Sequence, residues 1–172
     1  MRTEAAEFRG VVERHQRMVF SLALRVTGEY GTAEEVAQDV FLELFRSAER
    51  LSSEDHVRFW LRKVTVHRAT DALRRRAHRP ETHAEEWNEE APGDGDGAAG
   101  LGTVLEARLE ELLGSLPEQM RVAVVLRYQE DMTPDDIAKL LGQPLATVKS
   151  NLQRGLKLLR RKAEITMKEY VR

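Results

Sequence analysis

Residues 133–161 read TPDDIAKLLGQPLATVKSNLQRGLKLLRR, and this stretch decides the fold of the C-terminal part of the chain. Thr133 is predicted to cap a helix whose first position is Pro134. Gly142 ends that helix, and a second helix after the turn carries an apolar stripe of Leu145, Val148, Leu152, Leu156 and Leu159. Two helices joined by a tight glycine turn form a helix-turn-helix, whose second helix enters the major groove of DNA.

The second helix also has a polar, basic face opposite its apolar stripe. Successive residues of a helix are rotated by about 100°. This rotation places four side chains on one outward line, namely Ala146, Ser150, Gln153 and Lys157. Lys149 and Arg154 lie beside that line. Short polar groups suit hydrogen bonds to base edges, and lysine and arginine suit phosphates. The alternative is the solvated face of an ordinary bundle helix, with no DNA contact.

The composition of the whole chain sets further bounds. The 172 residues suffice for one ordinary domain or two small ones. The chain has no cysteine, which excludes disulfides, thiolate metal sites and a cysteine nucleophile, and we expect it in the cytoplasm. Apolar runs are too short to cross a membrane, so no membrane insertion is expected.

Charge is unevenly distributed, although the net charge is only −2. Residues 78–103 hold seven acidic groups and one basic group, together with five glycines, which predicts a flexible acidic linker. Two basic clusters lie in the flanking segments, at residues 58–79 and 145–162. Such local concentration of positive charge favours binding to a polyanion.

Helical periodicity extends through both segments that flank the linker. It predicts helices at Glu7–Thr27, from a Thr32–Glu35 capping box to Ser47, from Ser53 to Ala77, and at Val104–Leu113 and Pro117–Tyr128. No alternating run is long enough for a sheet. The predicted fold class is therefore all-α, with two small helical domains joined by the linker.

Two surfaces of the N-terminal segment are candidates for binding. The second helix places Leu42 on its outward face among polar groups, which suits a partner helix but also fits one isolated exposed leucine. The third helix combines basic residues with Phe59 and Trp60, the ingredients for binding single-stranded nucleic acid. Alternatively, these two aromatic side chains belong to the core, as we expect for at least one of them.

Taken together, these motifs resemble the extracytoplasmic-function (ECF) group of sigma-70 family sigma factors. In the N-terminal segment the resemblance rests on the runs AEEVAQDVF at 33–41, WLRKV at 60–64 and DALRRR at 71–76. In the C-terminal segment it rests on LP at 116–117, LRY at 126–128, DIAKLLG at 136–142 and ATVKS at 146–150. The ordered set, with an acidic linker between, is far more specific than a lone helix-turn-helix.

The resemblance implies a bacterial alternative sigma factor that directs promoter-specific initiation by core RNA polymerase. Residues 1–77 would be region 2, residues 78–103 the linker, and residues 104–172 region 4. Region 4 would read duplex −35 DNA through the recognition-helix residues and contact the β-subunit flap. Region 2 would bind the clamp helices of the β′ subunit through Glu35, Gln38, Asp39, Leu42 and Arg46. Region 2 would also recognise and melt the −10 element through Phe59, Trp60, Arg62, Lys63, His67, Arg68, Asp71, Arg74, Arg75 and Arg76.

The resemblance further implies an anti-sigma factor as partner, and three residues depart from the family pattern. The family usually has asparagine at the position of His67, arginine at Asn151 and alanine at Gly155. The competing hypothesis is a stand-alone helix-turn-helix regulator that binds DNA without polymerase. The five histidines do not form a metal-ligand spacing, so no metal, cofactor or catalytic residue is predicted and the chain is not expected to be an enzyme.

Overall fold

The computed structural model describes residues 2–47, 52–78 and 99–170. Within these ranges the backbone forms helices and no strand, as the sequence predicts. The predicted linker lies largely outside them, at residues 79–98. In chain order the helices are α1 (Arg2–Thr27), α2 (Tyr30–Ser47), α3 (Glu54–Ala77), α4 (Ala99–Gly114), α5 (Glu118–Tyr128), α6 (Pro134–Leu141) and α7 (Leu145–Tyr170).

Helices α1, α2 and α3 pack on one another and form the N-terminal lobe. Their shared core consists of aliphatic residues at helical spacing, and Leu22 of α1 and Leu61 of α3 have no solvent exposure. Burying a leucine side chain stabilises a fold by roughly 1.5–3 kcal/mol. Val36, Val40 and Leu44 form the inner face of α2, as its periodicity predicts.

Local capping signals explain several of the helix ends. Gly28 follows α1 with a φ of 73°, a left-handed conformation that glycine adopts without steric cost. The hydroxyl of Ser53 accepts a hydrogen bond from the backbone N–H of His56 and so caps α3. Thr133 caps α6 in the same way, accepting from the backbone N–H of Asp136 at 3.2 Å.

The predicted Thr32–Glu35 capping box is wrong. Helix α2 begins at Tyr30, because the backbone carbonyl of Glu29 already accepts from the backbone N–H of Ala33 at 3.0 Å. Thr32 therefore lies inside the helix, and its hydroxyl donates to the Glu29 carboxylate. The sequence matches the capping-box pattern, but the helix already begins at an earlier turn directly after Gly28.

Helices α4 to α7 form the C-terminal lobe. Leu126, Ile137, Leu140 and Val148 are its most deeply buried side chains. Gly142 adopts a φ of 62° at the end of α6 and turns the chain into α7, so the predicted helix-turn-helix layout is confirmed. Helix α4 begins at Ala99, five residues before the predicted start at Val104.

The two lobes contact each other through α1 with α4 and α5, and through α3 with α6. Arg121 of α5 contributes to this interface by donating to the backbone carbonyl of Val26 at 2.7 Å, at the C-terminal end of α1. The same guanidinium also donates to the carbonyls of Gly114 and Leu116. Burial lowers the pKa of Arg121, but an arginine stays charged at any accessible pH, so it complements the negative end of the α1 dipole.

Candidate nucleic-acid and protein interfaces

The recognition-helix residues predicted from sequence lie on the outer side of α7. Ala146, Lys149, Gln153, Arg154 and Lys157 are exposed and Ser150 is half-buried, whereas Val148 and Leu152 are buried on the opposite side. The helix register therefore agrees with a solvent-facing polar line. The DNA contacts assigned to these six residues stay a prediction.

Two of the three departures from the family pattern face inward in α7. Asn151 is 8% exposed, and Gly155 is buried. A Cβ atom at position 155 would lie 2.9 Å from Val124 Cγ2 and 3.4 Å from Met120 Cβ, on the facing side of α5. Both residues thus serve the packing of α7 rather than the surface that would meet DNA.

The aromatic side chains at the start of α3 are shared between core and surface. Phe59 and Trp60 are both half-buried and pack against the hydrophobic core. Lys63, His67, Asp71 and the three consecutive arginines at 74–76 are exposed. The expectation that at least one aromatic residue belongs to the core agrees with this geometry, which also leaves part of each ring accessible.

Four of the α3 arginines form ion pairs. Within the N-terminal lobe, Arg68 pairs with Glu43 at 2.6 Å and Arg76 with Glu29 at 2.7 Å. The hydrogen bond with Glu43 raises the pKa of Arg68 above its ordinary value. Phosphate binding at these two positions would have to compete with carboxylates already in place.

The other two paired arginines reach across to the C-terminal lobe. Arg62 Nε donates to Glu130 Oε2 at 2.8 Å, and Arg74 Nη2 donates to Glu118 Oε1 at 3.1 Å. Sequence reasoning assigned both arginines to DNA and identified neither acidic partner. The partners are 68 positions apart in the Arg62–Glu130 pair and 44 positions apart in the Arg74–Glu118 pair, so no local sequence pattern indicates them.

A cleft of about 330 Å³ opens between α3 and the C-terminal lobe. Its α3 wall includes three residues assigned to the −10 element, namely His67, Asp71 and Arg74. Its opposite wall includes Glu118, Gln119 and Gln143. Part of the predicted strand-opening surface therefore faces the other lobe of the same chain.

The predicted polymerase-binding face of α2 is exposed. Glu35, Gln38, Asp39 and Arg46 all face solvent, and Leu42 is 55% exposed. Sequence analysis missed Phe45, which is 64% exposed and makes an edge-on ring contact with Phe8 at 5.1 Å. Its position three residues after Leu42 places the two on neighbouring positions of the helix surface, and this spacing was a usable signal.

The described residues contain no cluster of three or more metal-ligating side chains. Across the same ranges, none of the helices combines the length and the apolar character that a membrane crossing needs.

Two solved structures share the fold of this chain. The sigma factor RpoE in complex with the anti-sigma factor NepR from Bartonella quintana aligns over 92% of this chain and 98% of its own, with a TM-score of 0.68 and 15% identity. CnrH in complex with the cytosolic domain of CnrY aligns over 92% of this chain and 88% of its own, with a TM-score of 0.66 and 20% identity. These likenesses establish the fold.

Sequence relatives include ECF sigma factors from distant bacteria. The ECF RNA polymerase sigma factor SigE of Mycolicibacterium smegmatis is 32% identical over 153 residues, which cover 87% of this chain and 59% of SigE. This chain thus spans little more than half of that relative. The ECF RNA polymerase sigma-E factor of Haemophilus influenzae is 27% identical over 169 residues, covering 93% of this chain and 89% of its own.

Two family models match consecutive parts of the chain. Sigma-70 region 2 matches residues 11–79, and Sigma-70, region 4 matches residues 106–159. The two matches lie in the N-terminal and C-terminal lobes respectively, and together they cover more than half of the sequence. The chain belongs to the sigma-70 family of RNA polymerase sigma factors.

Proposed function

We propose that this chain is an alternative sigma factor of the ECF type, which binds core RNA polymerase and directs initiation at specific promoters. One observation carries the proposal: the chain combines a helix-turn-helix with an exposed apolar pair, Leu42 and Phe45, on a helix of the other lobe. The pair lies on the lobe that lacks the helix-turn-helix, where it suits docking against a second protein. Apolar side chains surrounded by polar groups are typical of a protein–protein interface.

The work is divided between the lobes. Region 2, residues 1–77, binds the β′ clamp helices through α2 and takes up the melted −10 strand on α3. Region 4, residues 104–172, reads the −35 duplex with α7 and contacts the β flap. The intervening residues 78–103 connect them. In α7 the exposed polar line supports base contacts by Gln153 and phosphate contacts by Lys157.

An anti-sigma factor is the expected regulatory partner. RpoE and CnrH, two proteins of the same fold, were each solved in complex with another protein, and NepR is an anti-sigma factor. The action of this chain belongs in the cytoplasm, where polymerase and promoter DNA are found. The proposal assigns it no catalytic step of its own.

The competing function is a stand-alone transcription regulator that binds its operator without polymerase. The two functions separate in one experiment: transcription from a genomic promoter library by core polymerase with and without this protein, accompanied by footprints with and without core enzyme. A sigma factor starts new transcripts and protects −35 and −10 DNA only with core polymerase. A footprint from the free protein, with no core-dependent transcripts, would establish the regulator instead.

A further inference from the structure

The interface between the lobes uses residues that the proposed function assigns to DNA. The Arg62 guanidinium contacts Glu130 twice, at the carboxylate at 2.8 Å and at the backbone carbonyl at 3.2 Å. Its side chain is 19% exposed and that of Glu130 is 6% exposed, so solvent screens this pair weakly. The Arg74–Glu118 pair lies nearer the solvent, with side chains 63% and 29% exposed.

Contacts on the α1 side hold the same arrangement. Arg121 binds the Val26 carbonyl, and the Gln129 amide donates to the hydroxyl of Ser21 at 3.2 Å. These contacts are polar, and the buried apolar residues of both lobes also belong to one hydrophobic cluster. Interfaces between the domains of one chain resemble transient protein–protein interfaces, which open and close.

We propose that the lobes close on each other in the free chain and that the closed state masks the α3 surface for single-stranded DNA. This inference rests on the proposed function for the identity of the masked ligand. In the closed state Glu130 and Glu118 occupy the guanidinium groups of Arg62 and Arg74, which a DNA backbone would otherwise bind through its phosphates. The carboxylates therefore act as internal competitors of the phosphates.

The shape of the cleft leads to the same conclusion. About 330 Å³ is the lower end of the size of a small-molecule pocket, so a strand of several nucleotides does not fit. Glu118 on the facing wall also repels phosphate. His67, Asp71 and Arg74 become available to a strand only when the lobes separate. Single-stranded DNA and lobe closure thus exclude each other.

The absence of cysteine allows two spin labels to be placed without background. We suggest E34C on α2 and D135C on α6, which are exposed positions in different lobes. The free protein should give a narrow distance distribution, and saturating single-stranded oligonucleotide should shift it to longer distances, because binding and opening are thermodynamically linked. An unchanged distribution on saturation would overturn the masking, and a broad distribution in the free protein would overturn the closure.

A matched pair of variants tests the internal competitors directly. E118Q/E130Q removes the two carboxylates that pair with α3, whereas E106Q/E110Q makes the same charge change on exposed positions of α4. If the closed state holds nine molecules in ten, opening raises apparent oligonucleotide affinity by about tenfold. We expect this gain from E118Q/E130Q and little change from the control. Equal affinities of the two variants would overturn the proposal.

Two further measurements keep the result interpretable. Circular dichroism verifies that E118Q/E130Q is folded. If the double variant is not folded, E118Q alone, which changes the more exposed pair, replaces it and should show a smaller gain in oligonucleotide affinity. Core-dependent initiation by the wild-type protein is measured on the same preparation. Absence of initiation would contradict the proposed function, whereas normal initiation with no effect of E118Q/E130Q would contradict the masking alone.

Discussion

Gly155 of α7 lies so close to Val124 of α5 that a Cβ atom at position 155 would be 2.9 Å from Val124 Cγ2. Real Cβ atoms essentially never approach a neighbour so closely, and a buried, β-branched valine has little freedom to move away. From the sequence alone, Gly155 is a departure from the family pattern that lowers helix propensity by about 1 kcal/mol relative to alanine. In the structure it lets two helices of the C-terminal lobe touch.

Gly155→Ala should therefore lower the melting temperature. Overpacking of a core costs roughly 1–3 kcal/mol, which offsets or exceeds the gain in helix propensity of about 1 kcal/mol. Gly10→Ala in α1 is the matched control, since its new Cβ would meet only Arg14 Nη1, at 3.5 Å, within the part of the chain that the structure describes. The control should raise the melting temperature measured by calorimetry. A stabilising Gly155→Ala would show that α5 and α7 can separate freely.

Leu42 and Phe45 should dominate the affinity for core polymerase. Truncating a buried aromatic or aliphatic anchor of an interface typically costs more than about 1 kcal/mol. We expect Leu42→Ala, Phe45→Ala and Asp39→Arg each to weaken binding to core polymerase in a titration while helicity is retained. Gln16→Ala, at an exposed residue of α1 that is assigned to no interface, is the control. Unaltered affinity in all three α2 variants would remove α2 from the polymerase interface.

The α3 arginines should differ in their contribution to promoter binding. Arg75 is exposed, and among the described residues its side chain donates only to the backbone carbonyl of Asp71, at 3.4 Å, whereas Arg68 is held by Glu43. Neutralising Arg75 should make the salt dependence of holoenzyme affinity shallower, by a slope of about 0.7 per phosphate of single-stranded DNA. Arg68→Gln should change it less. The reverse order would indicate that the Glu43 pair breaks when DNA binds.

His67→Asn should change base preference at the −10 element. His67 is exposed on the cleft wall of α3, where the family usually has asparagine. An imidazole and an amide present donors and acceptors in different shapes, so they favour different unstacked bases. Initiation from a library randomised across the −10 element measures the preference. An identical preference in both proteins would place base recognition elsewhere.

The outward line of α7 should separate specificity from affinity. Gln153→Ala should alter preference at one or two −35 base pairs by about 1–3 kcal/mol, because glutamine can bind adenine through two hydrogen bonds. Lys157→Ala should weaken all promoters alike, since phosphates are the same at every sequence. A randomised −35 library distinguishes the two effects. If Lys157→Ala changes base preference and Gln153→Ala does not, α7 lies in the major groove rotated about its own axis relative to the orientation proposed here.

Features that depend on neighbours in the chain were readable from the sequence. The period of apolar residues predicted the helices and their inner faces, such as Val36, Val40 and Leu44. Thr133, Pro134 and Gly142 act through the backbone within one helical turn, so they predicted the helix-turn-helix and its boundaries. The outward line of α7 followed from the same local geometry.

Features that depend on residues distant in the chain were decided only by the tertiary structure. The close approach of Val124 explains why position 155 is a glycine, and the partner of Arg62 is Glu130 in the other lobe. A side-chain period states which residues share a face, but not what lies opposite that face, because the opposing atoms arrive from segments whose placement depends on the packing of the whole fold.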